Sequence, residues 1–211
     1  MAKIIMPMLS ASVVSIEVFF LTLLFSVPLG FFLVAGRMSK FKLISYTISA
    51  FLLVIRGTPL ILQLIAVYFA PAYLFKISYD RFVAAIIALS VNYACYFAEI
   101  YRGGIQSIPK GQHEAAKVLG YTKMQTFFRI VLPQVIKRII PAMGNEVITL
   151  VKDTALVSVL GIAELFRTAQ TTSSRLFSTA PIFIAGIFYF IMNWVVSSGF
   201  VMIEKKLSYY K

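Results

Sequence analysis

The chain has 211 residues, of which 60% are hydrophobic and 13% charged, and 20 basic against 8 acidic side chains give a net charge of +12. With a mean hydropathy of +0.87 it lies far outside the soluble class, where about 45–50% of residues are apolar, and reads as an integral membrane protein. In a soluble protein such basicity would point to nucleic acid; here it fits Lys and Arg gathered in cytoplasmic loops, and no nucleic-acid partner is expected. One cysteine, Cys95, excludes an intrachain disulfide and a cysteine metal site, and no metal ligands are expected.

A membrane-crossing helix needs about 20 largely apolar residues. The first such run is 12–35, too long and without the small-residue cleavage pattern of a removable signal. The second, 43–70, is interrupted by Arg56-Gly57-Thr58-Pro59, and the third is 82–101. A polar stretch follows at 109–133. Within it, 112–119 puts Ala115, Val118 and Leu119 on one helical face. Gly120 is a natural helix stop, and Thr122 with Gln125 forms a capping box that opens a second helix. A first short helix is expected from Pro109 to Leu119, with the second helix leading into the fourth run, 127–151, which Pro133, Pro141 and Gly144 break. Residues 152–181 read as a short surface or re-entrant element plus a Thr/Ser-rich loop, and 182–203 is the fifth run. The expected fold is all-α: a single transmembrane domain, 1–211, a bundle of five spans.

Five spans put the termini on opposite sides. With the N-terminus outside, Arg37, Lys40, Lys42, Arg102, Lys110, Lys117, Lys123, Arg129, Lys205, Lys206 and Lys211 fall in the cytoplasm. Lys3, Lys76, Arg81, Lys152, Arg167 and Arg175 fall outside. The bias predicts a multi-pass protein of the cytoplasmic membrane, N-terminus out and C-terminus in.

A charge at the bilayer centre costs at least about 2.5–3.5 kcal/mol, so Glu17, Arg56, Glu99, Glu146 and Asp153 should face partners or a water-filled path. Fixed ion pairs are the competing reading, above all for Glu99 and Arg102, three apart on one helix. Arg56 precedes the Thr58-Pro59 break, where an interrupted helix can line a pathway. Asn92, Tyr96 and Glu99 form one stripe on the third span that could bind an ammonium and a carboxylate, or could bond to other helices. Glu17, Arg56, Asn92, Tyr96, Glu99, Asp153 and Thr154 are the candidate substrate pathway. His113 is expected to have no chemical role. No catalytic cluster and no G-x-x-x-x-G-K phosphate loop occurs, so the chain is not expected to be an enzyme.

Glu114-Ala115-Ala116, Gly120 and Ile130-Val131-Leu132-Pro133 resemble the EAA loop of ABC-importer permeases. Arg56-Gly57-Thr58-Pro59-Leu60-Ile61-Leu62-Gln63 and the 98–105 run AEIYRGGI resemble signatures of the branch that serves polar amino acids. Lys152-Asp153-Thr154-Ala155-Leu156 resembles its K-D-T-S-L run, with Ala155 where serine is usual, and Thr22-Leu23 is also typical. The resemblance covers most of the chain in order. It implies a type I permease in which 109–120 is a coupling helix seated on a separate ATPase, with Glu114, Ala115, Ala116, Leu119 and Gly120 as the coupling residues. It implies that ATP and Mg bind that partner and no cofactor binds this chain. A second permease subunit, expected to be a copy of this chain, and an extracytoplasmic solute-binding protein would complete the importer. Acids outnumber bases within the spans, a lean towards arginine, lysine or histidine as substrate. The rival reading is an ion-coupled secondary transporter or channel without an ATPase.

Overall fold

The structure, a computed structural model, describes residues 2–207; Lys211 and the side chain of Lys3, both used to orient the chain, lie outside the described part. Helices α1 (Ala2–Arg37), α2 (Lys42–Gly57), α3 (Leu60–Phe75), α4 (Arg81–Gln106), α5 (Lys110–Val118), α6 (Lys123–Thr126), α7 (Leu132–Asp153), α8 (Leu165–Leu176) and α9 (Ala180–Leu207) follow in order. A π turn, Phe127–Val131, joins α6 to α7, and a 3-10 turn, Thr154–Leu160, follows α7.

Among the described residues, α1, α4 and α9 are long and apolar enough to cross a membrane. The second expected span is two helices: α2 and α3 meet at 111°, and count as a fourth crossing only if taken together. Proline explains the bend. Pro59 has no N–H to give and biases the residue before it away from helical angles, and Thr58 is extended at φ −117°, ψ 146°. The fourth expected span, α7, carries Lys137, Arg138 and Glu146 and is less apolar than the other three.

Helices α1 and α4 run side by side in the same direction and form the centre of the bundle. Small residues bring them close. Thr22, Ser26 and Gly30 recur every fourth residue on α1 and are buried, opposite the fully buried Ala94 and Ala98. A Cβ on Gly30 would sit 3.0 Å from the Ala94 carbonyl oxygen and from Phe97 Cβ, so only glycine permits this approach. α7 returns against α4, with Gly104 under Val135 and Ile139, and α9 packs on α7 where Gly144 meets Phe200. One end of the bundle therefore gathers the ends of α1, α4 and α9 with α5, α6 and the start of α7.

The polar middle forms as its caps dictate. Thr122 Oγ1 accepts from the Gln125 backbone N–H, and Gln125 Oε1 accepts from the Thr122 N–H at 2.9 Å. The helix it opens runs through the π turn into α7. That wide turn accommodates Pro133, whose ring clashes with the carbonyl four residues back in a regular helix.

Residues 168–179 are not the expected loop: most of them lie in α8. Its N-cap is Glu164, whose carboxylate accepts from the Phe166 and Arg167 backbone N–H groups, each at 2.7 Å. Its C-cap is Phe177 in the left-handed region at φ 47°. Neither residue type is the usual signal for its position, which is why the helix is not visible in the sequence.

Candidate functional site

The site is built where the α2–α3 break lies on α4. Asn92 and Tyr96 are one turn apart on α4, and Glu99 follows on the same face. The break meets this stripe with two side chains. Gln63 Oε1 accepts from Asn92 Nδ2 at 2.9 Å. The Arg56 guanidinium lies 5.3 Å from the centre of the Tyr96 ring, a cation–π distance, and reaches Glu99 Oε2 at 3.5 Å.

Glu99 is the hub of the charged end of the stripe. Besides Arg56 it pairs with Arg102, 3.0 Å away on its own helix, and with Arg37 at the end of α1. One carboxylate thus joins the ends of α1 and α2 to α4. The pair read from the sequence, Glu99 with Arg102, is present; Arg37 and Arg56 are partners the sequence did not disclose, because they are 62 and 43 positions away in the chain.

Asp153, at the end of α7, joins through a neighbour of the stripe: its carboxylate accepts from the Tyr93 hydroxyl at 2.7 Å. Tyr93 is buried and its ring lies 6.5 Å from that of Tyr96. Glu146 is half-buried on the same helix, within electrostatic reach of both Arg56 and Asp153. Thr154 is buried, its hydroxyl donating to the Val151 carbonyl at 2.8 Å and lying against Tyr189.

Glu17 does not join this group. It lies on the face of α1 shared with Val13, Phe20 and Leu24, all exposed and pointing away from α4. The spacing of polar residues along α1 could have shown this, since Ser15, Thr22 and Ser26 mark the opposite, buried face. Gln63 lies in a quoted motif without a role assigned from sequence. A glutamine four residues past a helix-breaking proline is the signal that marks it.

A second polar node lies near the other end of the bundle. Glu164 is fully buried and also accepts from Tyr189 at 2.9 Å and Ser15 at 3.4 Å. Burial pushes this carboxyl up, while the Arg167 and Phe166 amides, Tyr189 and Ser15 pull the other way. It ties α8 to α1 and α9.

At the opposite end stands α5, with the extent expected for the docking helix. Pro109 is its N-cap rather than its first turn. The Tyr121 N–H bonds to the Ala116 carbonyl and the Gly120 N–H to that of Lys117, a Schellman close that needs a left-handed residue, and Gly120 has φ +76°. Ala116 is buried and faces inward, whereas Val118 is 87% and Leu119 72% exposed, with Glu114 and Ala115 also exposed. Ile108 anchors the start of α5 against Val131 and Val135, and Gln112 accepts from Gln134 of α7 at 3.4 Å. The result is a short helix fixed to the bundle that offers a small apolar face to something outside it.

Residues 26–209 match the family described as the binding-protein-dependent transport system inner membrane component. The chain belongs to this family: it is a membrane permease component of an ABC transporter. It is 38% identical over 208 residues to the L-cystine transport system permease protein TcyB of Bacillus subtilis (strain 168), covering 97% of this chain and 88% of that one. The arginine transport system permease protein ArtQ of the same organism is 35% identical over 92% of this chain and 89% of its own. A chain from the crystal structure of an amino acid ABC transporter with histidines superposes with a TM-score of 0.91 at 36% identity, over 98% of this chain and 96% of that one. The branch to which the sequence motifs point is the branch these relatives occupy.

Proposed function

We propose that this chain is the translocating subunit of an ATP-driven importer for a polar amino acid and that α5 is its coupling helix. The observation that carries this reading is the exposed face of Ala115, Val118 and Leu119 on a helix fixed to the bundle through Ile108 and Gln112. An apolar helical face of this size is what a groove on a partner receives. ATP and Mg bind that partner ATPase. The end of the bundle bearing α5 is cytoplasmic, in keeping with the basic residues there, so the N-terminus is outside and the C-terminus inside. α7 and the bent α2–α3 pair complete five crossings. A second copy of this chain forms the other half of the pathway, and an extracytoplasmic binding protein delivers substrate to the end that carries α8.

The relatives are named for cystine, arginine and glutamine, which share the zwitterionic backbone of an α-amino acid. Arg56 supplies a cation for its carboxylate, and Glu146 and Asp153 supply anions for its ammonium or a cationic side chain. The cationic lean now rests on those two acids. Glu17 faces away, and Glu99 already has three arginines. Equilibrium binding of arginine, lysine, histidine, glutamine, glutamate and cystine to the solubilised complex tests this: a cationic amino acid is expected to bind most tightly, and a preference for glutamate overturns the lean. For the coupling, Leu119→Asp should abolish co-purification of the ATPase; full retention of the ATPase by that variant overturns the assignment of α5.

A further inference from the structure

The break between α2 and α3 leaves open carbonyls, because Pro59 brings no N–H and Thr58 is extended. Gln63 closes them. Its Nε2 donates to the Ile55 carbonyl at 2.6 Å, to Thr58 Oγ1 at 2.9 Å and towards the Thr58 carbonyl at 3.1 Å. The two backbone oxygens can only accept, so they fix which end of the amide faces them. The Gln63 oxygen is thereby turned to α4, where it accepts from Asn92. Residues 55 and 58, which Gln63 holds, flank Arg56.

We propose that Gln63 is the positioning residue of this site: by clamping Ile55 and Thr58 to each other and to Asn92, it sets Arg56 over Tyr96 for a ligand carboxylate. This rests on the amino-acid reading above. Three features carry it. The Arg56 side chain is 39% exposed, so its guanidinium has donors to spare. Its contact with Glu99 at 3.5 Å is longer than that of Arg102 at 3.0 Å, so Arg56 is the cation an incoming carboxylate draws away most readily. A planar guanidinium held in cation–π contact with Tyr96 presents a fork that matches a carboxylate. None of this geometry survives if the chain on either side of Arg56 is free to turn.

The test is binding of L-arginine and of L-argininamide, which lacks the carboxylate, to the solubilised complex. Wild type should prefer the free amino acid. Arg56→Gln and Gln63→Leu should each reduce that preference about 10-fold, the weight of one charge-assisted hydrogen bond, and the double variant should lose no more than the worse single one. Gln63→Glu keeps the size but cannot donate to the carbonyls, so it should behave as Gln63→Leu does. If the Gln63 variants weaken both ligands equally, or if the two losses multiply, the proposal is overturned. A second measurement does not depend on the substrate. Amide hydrogen exchange across 55–63 in lipid nanodiscs should speed up in Gln63→Glu and stay unchanged in Arg56→Gln. Unchanged exchange in Gln63→Glu overturns the clamp itself. Failure of wild type to bind either ligand, with exchange behaving as stated, sinks the substrate reading and leaves the clamp standing.

Discussion

The Tyr93 hydroxyl donates to the Asp153 carboxylate at 2.7 Å, and the bond links the centre of α4 to the last turn of α7. It gives a half-buried acid a donor, without which the desolvated carboxylate would be costly. Tyr93→Phe should therefore destabilise the folded permease by about 1.5–3 kcal/mol, the worth of a hydrogen bond to a charged group. Asp153→Asn keeps an acceptor for Tyr93 and should cost less. Thermal unfolding of the purified complex distinguishes them; equal losses would show that the charge rather than the bond is what matters.

Glu99 meets three guanidiniums, whereas each arginine meets one carboxylate. Removing Glu99 leaves three cations crowded together, and removing one arginine leaves two pairs intact. Glu99→Gln should thus lower the midpoint of unfolding more than Arg37→Gln, Arg56→Gln or Arg102→Gln. A larger loss in any of the arginine variants contradicts the hub arrangement.

Glu17 lies on the outer face of α1, away from Arg56 and Asp153. Glu17→Gln should leave the KM for uptake within about two-fold of wild type, as expected for a site without shared partners. A ten-fold rise in KM would return Glu17 to the pathway.

At Gly120 the left-handed backbone makes any side chain strained, although a Cβ would meet nothing within 4 Å. Gly120→Ala should cost about 1–2 kcal/mol at the exit of α5 alone. The expected readout is weaker coupling of ATP hydrolysis to uptake with the melting of the bundle unchanged. A global loss of stability would show that Gly120 matters to the core instead.

Much of this was legible in the residues. Apolar runs located α1, α4 and α9, and Thr122, Gln125 and Gly120 fixed the local structure of the polar middle, because caps act over three or four residues. The stripe of Asn92, Tyr96 and Glu99 followed from helical period alone. What the chain did not disclose depends on distant contacts. Pro59 marks where α2 ends but not the 111° at which α3 leaves it, and Arg37 reaches Glu99 only once α1 and α4 are packed. α8 was hidden because a glutamate caps it, and this glutamate is held in place by Ser15 and Tyr189 from two other helices. The outward place of Glu17 on α1 was not legible either, because a hydropathy profile records depth in the membrane and says nothing of which face a residue occupies.

The central claim is that this permease moves an amino acid by work received through α5. The direct measurement is uptake of radiolabelled arginine into vesicles holding the permease, its ATPase and its binding protein, energised either by ATP or by an ion gradient, with wild type and Leu119→Asp compared. Uptake that requires ATP and is lost in Leu119→Asp is the predicted result; uptake driven by the ion gradient without ATP, undiminished in that variant, would contradict it.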